Sequence, residues 1–281
     1  DFHENMEKYF EAKCRLFNDD LSDRCVINID DPYGKRLFDS VSNQAISVSR
    51  ISDIGDWHYQ KIESTKSGFD VEIVNNKNQL IVADFPLLGE HNLDNLILAV
   101  AIAAESGVSS TEIASAIPDL KSVSGRLEKI DLGQNFNALV DYAHPPDAVE
   151  RVLKSARVFS SGKIIAILGC GGDRDKGKRP LMGHALDNYS DVAIFTSDNP
   201  RTELPIQIIN EMVGDLKITS PSRVIEDRRA AIEYAVSIAQ SGDTVLLLGK
   251  GHEVGQEING VLTPFNDQIE LSNAIKKVVG N

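Results

Sequence analysis

Lys163-Ile164-Ile165-Ala166-Ile167-Leu168-Gly169-Cys170-Gly171-Gly172-Asp173-Arg174 decides how this chain is read. The apolar run is the length of a buried strand. The loop after it, through Pro180, is crowded with glycine and charge. A second apolar run, Val192–Thr196, ends in Ser197-Asp198-Asn199-Pro200-Arg201. Two buried strands that each open into a charged loop predict an open parallel sheet, with the loops at its carboxyl edge, where α/β proteins bind ligands. A dinucleotide-binding loop is the rival reading. Glycines fall at 169, 171 and 172, but Arg174 stands where the third glycine of G-x-G-x-x-G belongs, and that mismatch weighs against it.

Working outward, strands and helices alternate on both sides of this stretch. Strands are expected at 127–131 and 136–140, then a helix at 146–158, strand 163–168 and helix 180–187. Strand 192–196, helix 205–215, strand 222–225, helix 228–239 and strand 244–248 follow. This alternation predicts a doubly wound parallel sheet. Asn259-Gly260 predicts a hairpin, and 267–279 a closing helix. Upstream the pattern differs. Met6–Phe17 reads as a helix with Met6, Tyr9, Phe10, Leu16 and Phe17 on one face. Lys13 falls on that face, its stem expected over the core and its ammonium outside. A strand is expected at Cys25–Ile29, and Asp30–Gly34 reads as a turn. Four segments, 45–51, 57–63, 69–74 and 80–85, read as an antiparallel meander, with turns at Lys66–Gly68 and Asn75–Asn78. A helix at 93–106 stops at Gly107, and a shorter one at 111–117 ends at Pro118. The domain boundary is expected within 119–125, giving domains 1–124 and 125–281.

The net charge of −13 argues against a nucleic-acid or anionic-membrane surface. No apolar run approaches the roughly 20 residues of a membrane helix. Cys14, Cys25 and Cys170 are odd in number and far apart, which suits a reducing cytoplasm and small buried hydrophobes. His144 and His252 lack metal-ligand spacing, so hydrogen-bonding roles are expected for them. The chain begins at Asp1 and enters a helical pattern at once, as a fragment does.

If the strands are parallel, four loops share one edge: Asp141–His144, Gly169–Arg174, Ser197–Arg201 and Gly249–Glu253. Arginine forks suit carboxylates, and Asp, Glu and Asn accept from ammonium groups. A cleft with both kinds suits a zwitterion such as an amino acid. The competing reading is that these charges pair with one another, Arg201 with Glu203 for example.

In these loops the sequence resembles the Mur ligases, ATP-dependent amino-acid ligases of peptidoglycan synthesis. The matching residues run in order: Met6-Glu7 with Ala12-Lys13, His91-Asn92-Leu93-Asp94-Asn95, Gly125-Arg126-Leu127-Glu128, Asp141–Asp147, Gly169–Pro180, Asp198–Arg201 and Gly249–Glu253. The resemblance implies an α/β fold of two domains. The first is the end of a central ATPase domain with an antiparallel meander, and the second is a Rossmann-like doubly wound carboxyl-terminal domain. It also implies a UDP-binding domain and a phosphate loop upstream of the matched region. Neither occurs in these 281 residues, and no G-x-x-x-x-G-K-[ST] is found, so this chain alone is expected not to turn over ATP.

By the same resemblance the chain is a cytoplasmic monomer that uses ATP and Mg²⁺. Lys13 carries a carbamate that ligates the metal, an anionic oxygen ligand where an ammonium could not serve. Burial on an apolar face favours the neutral amine that takes up CO₂. Asn95, Arg126 and Asp141 are implied to contact ATP. Arg174, Asp198, Asn199, Pro200, Arg201, Gly249 and Glu253 are implied to bind the incoming amino acid. The implied substrates are a UDP-N-acetylmuramoyl dipeptide and meso-diaminopimelate. The dipeptide carboxylate becomes an acyl phosphate, which the amine attacks. The extra carboxylate of diaminopimelate needs a fixed cation fork, and Arg201, behind the stiff Pro200, supplies one. A lysine-adding ligase and a non-catalytic amino-acid-binding module are the alternatives.

Overall fold

The computed structural model describes residues 5–18, 21, 23–41, 45–65 and 67–280. Lys66 of the expected 66–68 turn lies outside them. The chain divides into two compact units, Asp1–Lys121 and Ser122–Asn281, and each has its own sheet.

The first unit runs α1 (Met6–Cys14), β1 (Cys25–Asn28), α2 (Pro32–Ser40), β2 (Ala45–Ser49), β3 (Trp57–Ser64), β4 (Phe69–Asn75), β5 (Leu80–Phe85), α3 (Glu90–Glu105) and α4 (Ser110–Ala116). Its strands lie side by side in chain order. Only β3, β4 and β5 form an antiparallel meander, because β1–β2 and β2–β3 are parallel. The expected fourth meander strand is thus a parallel one. Asp30–Gly34 is not merely a turn either. Asp31 accepts from the amides of Tyr33 and Gly34 and caps α2, with Pro32 in the first helical position, so a turn-like composition starts a helix. Phe69, Val71 and Ile73 of β4 and Ile81, Ala83 and Phe85 of β5 alternate inward. Leu93, Leu96, Ile97 and Val100 of α3 complete the core. Each such Val, Leu, Ile or Phe side chain stabilises the unit by about 1.5–3 kcal/mol.

The α1 helix departs from expectation. None of its residues is buried, and Met6 and Leu16 are exposed. It is held at Phe10, whose ring packs on Tyr33 and under Arg36, and by an Arg36–Glu7 ion pair.

The second unit runs β6 (Glu128–Lys129), β7 (Asn137–Asp141), α5 (Pro146–Phe159), β8 (Ile164–Cys170), α6 (Lys178–Tyr189), β9 (Val192–Ser197), α7 (Pro205–Val213), β10 (Arg223–Val224), α8 (Arg228–Ile238), β11 (Thr244–Leu248), the hairpin β12 (Gly255–Ile258) and β13 (Val261–Pro264), and α9 (Asp267–Val279). The main sheet has the order β10-β9-β8-β11-β7-β6. All its pairings are parallel except β6–β7. Helices α8 and α9 cover one face, through Ala231, Ile232, Leu271 and Ile275. Every residue of β8, β9 and β11 is buried, as a sheet covered on both faces requires. Cys170 is buried in this layer, and burial pushes its thiol up to about 12. Cys14 and Cys25 are only half-buried.

Candidate active site

The carboxyl ends of β7, β8, β9 and β11 lie on one edge of the second sheet, because these strands are mutually parallel. All four loops there are linked by hydrogen bonds, the first to the last by the Gly249 amide donating to the Asp141 carbonyl at 3.2 Å. Gly172 donates its amide to the Asn199 carbonyl at 2.8 Å, and its own carbonyl accepts from Arg201 Nη1 at 2.7 Å. Asn199 Nδ2 donates to Glu253 Oε2 at 2.7 Å. A Cβ on Gly172 would run into the backbone of Pro200. Gly172→Ala must therefore part the two loops, and we expect a loss of about 1–3 kcal/mol in urea unfolding. An unchanged midpoint would refute this contact.

Asp198 and Asn199 are both buried. Asp198 Oδ1 accepts the Asn199 amide at 2.7 Å. Burial raises the pKa of Asp198, although Lys250 and Arg228 favour its charged form. Gly249 has φ +103°, and a side chain there would stand 3.1 Å from Asp198 Oδ2. The positive φ favours glycine at 249, and a side chain there would also crowd the Asp198 carboxylate. Asn199 Oδ1 accepts from the Glu257 amide and from Lys250 Nζ, so the carboxamide oxygen expected to receive an ammonium is already filled.

Arg201 has φ +51°, a region costly for a residue with a side chain. The hairpin holds it there. The Arg201 amide donates to the Glu257 carbonyl, and its carbonyl accepts from Asn259. Its guanidinium lies 3.5 Å from Glu257 and does not pair with Glu203. Arg174 is exposed and makes no hydrogen bond or ion pair among the described residues. Both arginines border Gly171: a Cβ there would lie 3.0 Å from Arg201 Nη1 and 3.6 Å from Arg174 Cγ. The Arg201 guanidinium and the aliphatic base of the Arg174 side chain thus border one bare backbone position.

Glu203 has another partner. Arg179, 1% exposed, grips it through both terminal nitrogens at 2.7 and 2.9 Å, and also reaches Glu211 and the Gly171 carbonyl. Glu203 also accepts the Asp173 amide. The bonds from Arg179, then Asp173, hold the Glu203 carboxyl far below its usual range. A depressed carboxylate contributes stability above its unfolded value of 4.5, and the contribution is lost as pH falls through the folded value. Melting temperatures of Glu203→Gln should therefore fall less steeply below pH 4.5 than those of the unmodified chain. Parallel curves would count against the latch. Neither Arg179 nor Lys250 stood out in the sequence, since nothing local marks a basic residue as buried.

Asp141 is buried. Its Oδ2 accepts the Leu127 amide and its Oδ1 the Ala143 amide, both at 2.8 Å. Its carboxylate thereby fixes the backbone on either side of Arg126 and Tyr142. The exposed Arg126 lays its guanidinium 5.0 Å from the centre of the Tyr142 ring, and His144 and His252 also pack on that ring. His144 Nδ1–H donates to the Tyr142 carbonyl at 3.0 Å, so His144 serves packing and hydrogen bonding, while His252 packs on the ring.

In the first unit Asn95 is exposed on α3, with Nδ2 3.5 Å from Asn92 Oδ1. Lys13 is exposed too, with Nζ 5.3 Å from the Tyr9 ring centre. The burial that the carbamate expectation relied on is absent among the described residues. No group of three or more His, Cys, Asp or Glu is gathered there to hold a metal ion. Among the described residues, these side chains therefore do not make a Mg²⁺ site. No helix among the described residues is long and apolar enough to cross a membrane.

Comparison with known proteins gives this arrangement relatives. A family model described as the Mur ligase middle domain matches residues 1–103. A second, the Mur ligase glutamate ligase domain, matches 125–251. The UDP-N-acetylmuramoyl-L-alanyl-D-glutamate–2,6-diaminopimelate ligase of Streptomyces coelicolor is 42% identical over all of this chain and 56% of its own length. The protein of that name from Fusobacterium nucleatum is also 42% identical, over 95% of this chain and 55% of its own. A solved structure of a ligase of the same name superposes with a TM-score of 0.69 at 37% identity, over 99% of this chain and 58% of that one. The chain thus spans a little over half the length of the relatives it matches. The middle-domain match falls on the first unit and the ligase-domain match on the second, and the chain belongs to the Mur ligase family.

Proposed function

We propose that the protein is an ATP-dependent ligase that joins meso-diaminopimelate to UDP-N-acetylmuramoyl-L-alanyl-D-glutamate, and that the carboxyl edge of the second sheet holds the incoming amino acid. The observation that carries this is the Arg201 guanidinium fixed beside Gly171 and Gly172, with the Arg174 side chain rising from the same loop, on the edge that also bears Glu253. Two forks serve carboxylates and Glu253 serves an ammonium, the charges of an amino acid with more than one carboxylate. The names of the relatives support the same substrate. ATP converts the dipeptide carboxylate to an acyl phosphate. The amine, held in place, attacks it and releases phosphate. Arg126 and Asn95, both exposed, are assigned to ATP. Asp141 serves by shaping the Arg126 segment.

Lysine is the disfavoured substrate, because its terminal ammonium would face the guanidinium groups and leave a fork unpaired. Calorimetric titration of the chain with meso-diaminopimelate and with L-lysine tests the reading. Tighter binding of diaminopimelate is expected, and equal or reversed affinities would refute it.

A further inference from the structure

Lys250, in the loop after β11, has a side chain 0% exposed. A buried ammonium is tolerated only when its N–H groups are met. Nζ donates to Glu253 Oε2 at 3.0 Å, to the Gly255 carbonyl at 2.8 Å and to Asn199 Oδ1 at 3.2 Å. All three N–H groups are therefore used within the protein, and none remains for a ligand. Two of the acceptors belong to residues assigned to the incoming amino acid.

The geometry has a directional consequence. Asn199 Oδ1 takes Lys250 and the Glu257 amide, which fills both lone pairs. Its Nδ2 gives one N–H to Glu253 and keeps one. Glu253 Oε2 takes both Lys250 and Asn199, while Oε1 has no hydrogen-bond partner among the described residues. Without Lys250, the carboxamide would be held only by the Glu257 amide and by Glu253, whose own oxygen Lys250 also fixes.

We propose that Lys250 is the positioning residue of the amino-acid site: it fixes Asn199 to present an N–H to a substrate carboxylate and Glu253 to present one bare, charged oxygen to a substrate ammonium. The assignment rests on the amino-acid reading of this edge given above.

The charges around Glu253 support the role. Burial alone would favour its neutral acid, but bonds from Lys250 and Asn199, and the nearby charge of Arg201, bring it below the ordinary carboxylate range. Asp198 from the β9 loop and Arg228 from α8 also interact with it, with opposite signs. In Lys250→Met the burial persists and the foremost compensating bond goes. The Glu253 carboxyl should then lose its charge at a higher pH.

The test uses the 281-residue chain with carboxyl-labelled glutamate. In ligand-free protein the NMR titration midpoint of Glu253 should rise by about one pH unit or more in Lys250→Met. Binding of meso-diaminopimelate should weaken progressively as pH falls through the raised midpoint and recover toward pH 8. A loss of packing alone would weaken binding equally at every pH. An unmoved Glu253 midpoint, or a pH-independent loss, overturns the Lys250 role. Failure of the unmodified chain to bind diaminopimelate at any pH overturns the amino-acid reading instead, and the ligand-free titration still decides the role of Lys250. If the variant does not fold, the unmodified chain decides. Its Lys250 ammonium protons should exchange slowly with water, as hydrogen-bonded buried protons do, and fast exchange overturns the proposal.

Discussion

Replacing Arg201 with alanine is expected to abolish the preference for meso-diaminopimelate over lysine. The guanidinium bonds the Gly172 carbonyl at 2.7 Å and lies 3.5 Å from Glu257, which leaves other N–H groups for a carboxylate. Its aim is fixed, because the backbone is held at φ +51° between Glu257 and Asn259. Losing a charge-assisted contact of this kind costs roughly 2–4 kcal/mol, or about 30- to 1,000-fold in the ratio of the two affinities. Arg174→Ala should lower the ratio less, since that side chain is exposed and unsupported and screening discounts its contribution. Competition calorimetry with both amino acids gives the ratio directly. A ratio that survives Arg201→Ala would mean that another group reads the distal carboxylate.

The second large effect is on stability. Arg228 and Asp267 form a fully buried ion pair, each 0% exposed, at 2.6 Å. They are the first residues of α8 and α9. Arg228 also donates to the Leu248 carbonyl at the end of β11. A carboxylate at a helix start interacts well with the helix dipole and a guanidinium does not, so Asp267 is the partner that makes Arg228 tolerable. Removing either alone strands a buried charge at a cost of about 3–5 kcal/mol. Replacing both, as Arg228→Met with Asp267→Leu, should restore most of that loss. Urea unfolding of the three variants checks the pattern. Single variants within about 1 kcal/mol of the parent would show that water reaches the pair.

The second sheet was legible because its strands and helices have different hydrophobic periods and its hairpin turns on Asn259-Gly260. Element bounds there differ from the reading by a residue or two at most ends. The first unit was less legible for physical reasons. Asp31-Pro32 serves a turn and a helix start equally well, so α2 has no distinct local signal. Strand direction leaves no local mark, so the parallel pairing of β2 is not readable from its residues. In the site, the sequence placed the loops but not the destinations of their side chains. Asn199 finds its partners more than 50 positions away, in Lys250, Glu253 and Glu257. Asp141 meets Leu127 fourteen positions back. Such pairings exist only once the sheet has assembled, and no spacing rule reports them.

The position of β11 has a consequence for how the second unit is made. The last strand of the main sheet to be made, residues 244–248, lies between β7 and β8, whose paired residues begin at 137 and 164. During synthesis at about 5–20 residues per second, β7 and β8 therefore wait several seconds with their facing edges unpaired. Open edges of this kind invite pairing with other chains. A ribosome stalled before residue 244 would hold a half-sheet with a slot one strand wide. A separate peptide carrying β11 has the hydrogen-bonding pattern to fill that slot and, with its Gly249–Glu253 loop, to deliver the last side of the cleft.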